Sequence, residues 1–91
     1  MKVLVLYRPR SEHRAVVEDF LRAFNGQHAS VKVDVLDVDG MEGSTIASTY
    51  DFMNFPVIAV IRDDGSILQS WQGVDSFPSP GDVSYFASSQ F

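Results

Sequence analysis

The stretch that decides the fold is Val57-Ile58-Ala59-Val60-Ile61, followed by Asp63-Asp64-Gly65 and then by Ser66-Ile67-Leu68-Gln69-Ser70-Trp71. A short apolar run bounded by turn residues predicts a strand that is buried on both faces. Asp-Gly is a strong hairpin signal, so residues 66–71 are predicted to return as the antiparallel partner of 57–61. The second half of the chain therefore contains a β-hairpin.

The first half of the chain has the pattern of a βαβ unit. Lys2–Tyr7 is another continuous apolar run, rich in Val and Leu, which predicts a central strand. Ser11 is a good N-cap for a helix over residues 12–24, which Asn25-Gly26 is expected to stop. Residues 31–38 then form a second strand, and a helix between two strands predicts that they pair in parallel.

Two more helices complete the predicted fold. One begins at Ser44 or Thr45 and ends at Asn54, and the other begins near Pro80. The apolar face of the first consists of Ile46, Tyr50 and Met53. The order is βαβαββα, which predicts an α/β fold with a four-stranded mixed sheet flanked by helices.

Length and composition bound the class of protein. With 91 residues, we expect a single domain over 1–91. Seven Lys and Arg against twelve Asp and Glu give a net charge of −5, the wrong sign for a partner that is nucleic acid or an anionic membrane. No apolar run could span a bilayer, and the start lacks the apolar core of a signal peptide, so we expect a cytoplasmic protein.

Two stretches resemble the thioredoxin-like family, which includes the glutaredoxins. Tyr50-Asp51-Phe52-Met53-Asn54-Phe55-Pro56-Val57 is similar to the segment in which a helix leads into a cis-proline that opens the next strand. Tyr7-Arg8-Pro9-Arg10-Ser11-Glu12-His13-Arg14 is similar, with looser spacing, to the glutaredoxin stretch Tyr-x-x-Pro-x-Cys-x-x-Cys. The resemblance covers nearly the whole chain. It implies a thioredoxin-like fold with a peptide groove beside a cis-proline loop at Asn54, Phe55 and Pro56.

The active-site position of that family is degenerate in this chain. Ser11 and Arg14 stand where the resemblance places the two cysteines, and the chain contains no cysteine at all. A hydroxyl and a guanidinium cannot exchange disulfides, because no sulfur is present to form a mixed disulfide. The absence of cysteine also excludes structural disulfides and thiolate metal sites. We therefore expect a redox-inactive protein without a cofactor.

A cluster of cations surrounds the same position. It consists of Arg8, Arg10, His13 and Arg14, with Ser11 among them. Cations are unfavourable near a helix N-terminus, so the cluster indicates a neighbouring anion. One possibility is a carboxylate of this chain, Glu12 or Asp51. The other is a carboxylate or phosphate group of a ligand held by the first-turn N–H groups.

Other chemistries find weaker support in the sequence. Ser11 and His13 lie two residues apart, so at a helix start they point apart and cannot form a nucleophile and base pair. Asp37, Asp39 and Glu42 form an acidic patch without the spacing of a calcium loop, which favours a solvated strand end over a metal site. No residue set is strong enough to predict an enzyme.

Three functions remain open. The preferred hypothesis is a binding module that pairs with an extended peptide of a partner protein at the loop formed by Asn54, Phe55 and Pro56. The second is a binder of a small anionic, glutathione-like ligand, or a non-thiol transferase, that uses the arginine cluster. The third is a purely structural subunit domain.

Overall fold

The computed structural model describes residues 1–28 and 31–87. Its strands and helices follow the predicted order βαβαββα. They are β1 (Lys2–Tyr7), α1 (Arg14–Gln27), β2 (Val33–Asp37), α2 (Met41–Thr49), β3 (Val57–Ile61), β4 (Ile67–Gln72) and α3 (Pro80–Ala87). A 3₁₀ turn over Val74–Ser76 joins β4 to α3. Within the described ranges, every helix is too short or too polar to cross a bilayer.

The strands form one mixed sheet in the order β2-β1-β3-β4. β1 pairs in parallel with β2, with Val3 opposite Val33, and antiparallel with β3. β3 and β4 form the predicted antiparallel hairpin, which has an irregularity between Val60 and Ile61. The predicted fold class, an α/β fold with a four-stranded mixed sheet, is therefore confirmed.

Hydrophobic side chains cover both faces of the sheet, because alternate residues of a strand point to opposite sides. One layer joins the odd residues of β1 to α1 and α3, and its buried members include Val3, Val5, Ile58, Val60, Phe20, Phe24 and Val83. The other layer joins the even residues of β1 to α2, and its buried members include Leu4, Leu6, Val57, Ala59, Ala47 and Phe52. This two-sided burial is why β1 and β3 have uninterrupted apolar sequences.

The bounds of α1 differ from the prediction of 12–24. Ser11 is not its N-cap, because its hydroxyl and its N–H both donate to the Arg8 carbonyl, at 2.7 and 3.0 Å, and so close the preceding turn. His13 is the N-cap, without a side-chain capping bond. Asn25-Gly26 does not stop the helix: the His28 N–H still donates to the Phe24 carbonyl at 2.8 Å, and the two rings pack together.

The helix α2 begins earlier and ends earlier than predicted. It starts at Met41 after the N-cap Gly40, while the hydroxyls of Ser44 and Thr45 donate to the Met41 carbonyl from within the helix. It ends at Thr49, so Met53 lies beyond it and is exposed rather than on its apolar face. The strand predicted at 31–38 is shorter than expected, at Val33–Asp37. The strand predicted at 66–71 keeps its length but lies one residue later, at Ile67–Gln72.

Candidate functional site

An open groove of about 590 Å³ lies where β1 ends and β3 begins. One wall consists of the end of β1 and the residues that follow it, Tyr7, Arg8, Ser11 and His13, and the opposite wall consists of Gln72, Gly73, Val74, Asp75 and Ser76. Between them lie Met53 and the Pro56 loop, which we define as Asn54, Phe55 and Pro56. Asn54, Phe55 and Pro56 therefore line a groove, and its binding of a peptide stays a prediction.

The Pro56 loop is held at both ends by hydrogen bonds to the opposite wall. The Met53 N–H donates to Gln72 Oε1 at 3.1 Å, and the Pro56 carbonyl accepts from the Gly73 N–H at 2.9 Å. The peptide bond between Phe55 and Pro56 is cis. Among residues 1–28 and 31–87, no partner is found for the N–H or the C=O of Phe55. The groove thus contains a fixed backbone segment with unsatisfied hydrogen-bonding groups.

Ser11 lines the groove, but its hydroxyl is already engaged. Its Oγ donates to the Arg8 carbonyl at 2.7 Å and accepts a longer bond, 3.3 Å, from the His13 N–H. A hydroxyl whose proton is donated to a backbone carbonyl is not activated as a nucleophile, because activation needs a base that takes that proton. The position therefore serves to shape the turn beside the groove.

Arg8 connects the first wall to the Pro56 loop. Its Nε lies 3.2 Å from Asp39 Oδ1, and its guanidinium carbon lies 5.2 Å from the centre of the Phe55 ring, which is within cation–π distance. The carboxylate that accompanies Arg8 is therefore Asp39. Of the two carboxylates expected beside the cluster, Glu12 Oε1 lies 3.7 Å from His13 Nε2, whereas Asp51 makes no ion pair with the described residues.

The structure divides the predicted arginine cluster. Arg8, Ser11 and His13 line the groove, whereas Arg10 and Arg14 do not. Arg14 Nε lies 2.9 Å from Glu18 Oε2, one turn further along α1, so its counter-ion belongs to its own helix. Arg10 makes no ion pair within the described part of the chain. The groove therefore contains one arginine and one histidine from the cluster.

The sequence did not predict that the second wall would be part of a site. Gly73 has a φ of 87°, in the region that favours glycine, and this conformation turns the chain from β4 into the 3₁₀ turn that lines the groove. Asp75 projects an exposed carboxylate there without an ion pair to the described residues. The glycine at the strand end was the available signal.

Two carboxylates of the acidic patch, those of Asp37 and Asp39, are engaged in contacts within this chain. Asp37 Oδ1 accepts the Asp39 N–H at 2.9 Å, and Asp39 pairs with Arg8. Across the described ranges, no group of three His, Asp or Glu side chains is placed to hold a metal ion. These carboxylates stabilise the turn between β2 and α2.

Comparisons with known proteins support the fold and extend no further. No protein-family model and no curated protein matches the chain. A malarial protein of known structure has a TM-score of 0.71 at 14% identity, covering 94% of this chain and 91% of its own. Thioredoxin 1 from the thermophilic eubacterium Thermosipho africanus has a TM-score of 0.69 at 10% identity, covering 97% of this chain and 91% of its own. The chain therefore has a thioredoxin-like fold, and it has no cysteine.

Proposed function

We propose that this thioredoxin-like protein binds an extended segment of a partner protein in the groove beside the Pro56 loop, and that it performs no thiol–disulfide chemistry. The second part follows from composition, because exchange requires a thiolate and the chain has no cysteine. The first part rests on the arrangement of backbone groups in the groove.

The observation that carries the proposal is the unpaired backbone of Phe55. Its N–H and C=O have no partner among the described residues, although the loop is clamped by Gln72 and Gly73 on its other side. An extended peptide that lies along this loop can pair with both groups, as a strand added to a sheet edge does. The loop is already ordered, so less conformational entropy is lost on binding.

Side chains on both sides of the loop suit a peptide with apolar residues. Met53 is 80% exposed and Val74 is 43% exposed, and both line the groove. Methionine is flexible and polarizable, which suits it to contact with varied apolar side chains. Arg8 on one wall and Asp75 on the other place opposite charges across the groove. The partner segment that fits best is therefore extended, with an apolar centre and flanking charges.

The test is a screen of labelled protein against an array of extended peptides, followed by chemical-shift titration of the peptides that bind. We expect shifts at Phe55 and at residues 72–76. Replacing single peptide N–H groups by N-methyl should abolish binding at alternate positions, because alternate residues of an added strand direct their N–H toward the pairing edge. Uniform tolerance of N-methylation would contradict backbone pairing.

A matched pair of variants separates groove binding from general hydrophobicity. Met53→Glu should weaken peptide binding, because it places a carboxylate among the apolar groups of the groove. Met41→Glu is the control, since Met41 is 88% exposed at the start of α2 and lies outside the groove. Both variants should keep their stability within about 0.5 kcal/mol, the usual range for exposed sites. Equal losses of binding in both would refute the assignment of the groove.

A small anionic ligand is the second candidate, and one observation favours it. Arg8 and His13 line the same groove as Val74 and Asp75, whose N–H groups have no partner among the described residues. A glutathione-like molecule carries two carboxylates that could contact both sides. The charge of Asp75 and the pairing of Arg8 with Asp39 oppose it. Titration with glutathione distinguishes the candidates, because only this one predicts saturable shifts at residues 8, 13, 74 and 75.

A further inference from the structure

A second depression lies at the opposite end of β1 from the Pro56 groove. Its volume is about 340 Å³, and its lining includes Lys2, Lys32 and Arg62. Lys2 begins β1, Lys32 immediately precedes β2 and Arg62 immediately follows β3. Because the strand order is β2-β1-β3, three neighbouring strands each contribute one cation at the same edge of the sheet. These are three of only seven Lys and Arg in an acidic chain.

Three carboxylates, those of Asp34, Asp63 and Asp64, lie near these cations. Asp34 lies 3.2 Å from Lys2 Nζ, and Asp63 lies 2.7 Å from the amino group of Met1. Asp64 accepts the N–H and the hydroxyl of Ser66, at 2.9 and 2.7 Å. Lys32 and Arg62 have no carboxylate partner within salt-bridge distance among the described residues. Asp64 acts on Arg62 at longer range, so with the amino group of Met1 four cationic groups stand against three carboxylates, and this end of the sheet has an excess of positive charge.

The position of Lys32 beside Lys2 is unfavourable without a ligand. The Val3 N–H donates to the Lys32 carbonyl at 2.9 Å, which places the two lysines one step before the first pair of β1 and β2. Like charges at neighbouring positions on adjacent strands repel. An anion between them would convert this repulsion into two attractive contacts.

Arg62 is held in place for such a contact. Its Nη1 donates to Ser66 Oγ and to the Ile67 carbonyl, both at 3.2 Å, which fixes the guanidinium at the start of the hairpin. Its remaining N–H groups make no hydrogen bond to the described residues and are free to donate. A guanidinium with a fixed orientation suits the oxygens of a phosphate group.

We propose that Lys2, Lys32 and Arg62 form a binding site for the dianionic phosphate group of a small phosphorylated molecule. A phosphate monoester carries a charge of about −1.5 to −2 at pH 7, and Lys32 and Arg62 are cations without a carboxylate in salt-bridge distance among the described residues. The site is separate from the Pro56 groove, since Lys2 and Tyr7 stand at opposite ends of the six-residue β1, in which each residue spans about 3.3 Å. Either site can therefore be lost without the other.

The experiment is a chemical-shift titration of the labelled protein with inorganic phosphate and with pyrophosphate. An ionic strength of about 10 mM keeps exposed charges weakly screened. We expect saturable shifts at residues 2, 32, 33, 62 and 65. Lys32→Ala should lower the affinity about three- to fivefold, the factor that corresponds to one exposed charge contact. Without phosphate, the same variant should be as stable as the parent or slightly more stable, because the repulsion of Lys2 is removed.

Arg22→Ala is the matched control. It removes the same unit of charge at an exposed position of α1, where the one ion pair of Arg22 with the described residues is to Asp19, at 3.0 Å. Its affinity for phosphate should equal that of the parent. Equal weakening by Arg22→Ala and Lys32→Ala would overturn the proposal, because net charge alone would then explain the binding. Identical shifts with chloride at matched ionic strength, flat titrations, or shifts confined to the Pro56 groove would also overturn it.

Discussion

A pair of glycine-to-alanine substitutions tests how α2 is placed on the sheet. Both glycines lie within helices, Gly43 in α2 and Gly26 in α1. In a helix without other constraints, alanine is more favourable than glycine by about 0.8–1 kcal/mol. Propensity alone therefore expects both substitutions to stabilise the protein.

The atoms around Gly43 reverse that expectation for Gly43→Ala, whereas those around Gly26 do not. A Cβ on Gly43 would lie 2.0 Å from the Asp37 carbonyl oxygen, 2.7 Å from the Asp37 carbonyl carbon and 3.3 Å from Val38 Cα. The contact atoms are backbone, so they cannot rotate away as a side chain would. An ordinary carbon–oxygen contact needs about 3.3–3.6 Å, so α2 would have to move by more than about 1 Å from the end of β2. That movement would also separate Ala47 from the layer that covers Leu4 and Leu6.

The expected cost of Gly43→Ala is about 2–3 kcal/mol, toward the upper end for an overpacked site. For a domain of this size, each kcal/mol changes the melting temperature by about 4–8 °C, so we expect a decrease of roughly 10–20 °C. A Cβ on Gly26 meets nothing within 4 Å, so Gly26→Ala should raise the melting temperature by a few degrees.

The measurement is urea and thermal unfolding of both variants, followed by circular dichroism and compared with the parent. Opposite signs of the two changes are the expected result. A Gly43→Ala variant as stable as the parent would refute the close approach of α2 to the Asp37 carbonyl. A destabilised Gly26→Ala variant would refute the continuation of α1 through residue 26.

Two further predictions concern charged groups. Hydrogen bonds from the Ser66 side chain and backbone lower the pKa of Asp64 below its ordinary value of 3.8, so Ser66→Ala should raise that pKa, as followed by carboxyl carbon shifts. Because the pKa is depressed in the folded state, any stability from this carboxylate is present above pH 3.8 and is lost as the pH falls through the folded pKa. An unchanged titration of Asp64 in Ser66→Ala would contradict the assignment of its pKa to these hydrogen bonds. Arg8→Gln should change stability by less than about 1 kcal/mol, because its pair with Asp39 is exposed, yet it should weaken binding of peptides with acidic flanks more than neutral ones. Equal weakening of both peptides would remove Arg8 from peptide recognition.

Most of the fold could be predicted from local patterns. The apolar runs of β1 and β3 are continuous because both faces of these central strands are buried, and burial on two faces requires apolar residues at every position. The Asp-Gly turn predicted the hairpin, since that dipeptide readily adopts the turn that antiparallel strands need. The absence of cysteine excluded thiol–disulfide exchange by this chain without any structure.

The ends of the helices depended on contacts that sequence does not show. Ser11 has the side chain of an N-cap, but its hydroxyl is used by the Arg8 carbonyl, so α1 begins at Arg14. The helix passes Gly26 because His28 continues the hydrogen bonding and packs on Phe24. Propensity describes which conformations and hydrogen bonds a residue favours in isolation. Competition among hydrogen-bonding and packing partners in the folded protein decides which of them forms.

Part of the candidate site could likewise be predicted from the sequence, and the rest depended on the tertiary structure. The Pro56 loop was predicted from Tyr50-Asp51-Phe52-Met53-Asn54-Phe55-Pro56-Val57, since a local resemblance needs only neighbouring residues. The opposite wall at Gly73–Ser76, the pairing of Arg8 with Asp39 and the meeting of Lys2, Lys32 and Arg62 all join residues far apart in the chain. Their proximity depends on the strand order β2-β1-β3-β4, and that order is set by which hydrophobic faces pack together rather than by any single segment.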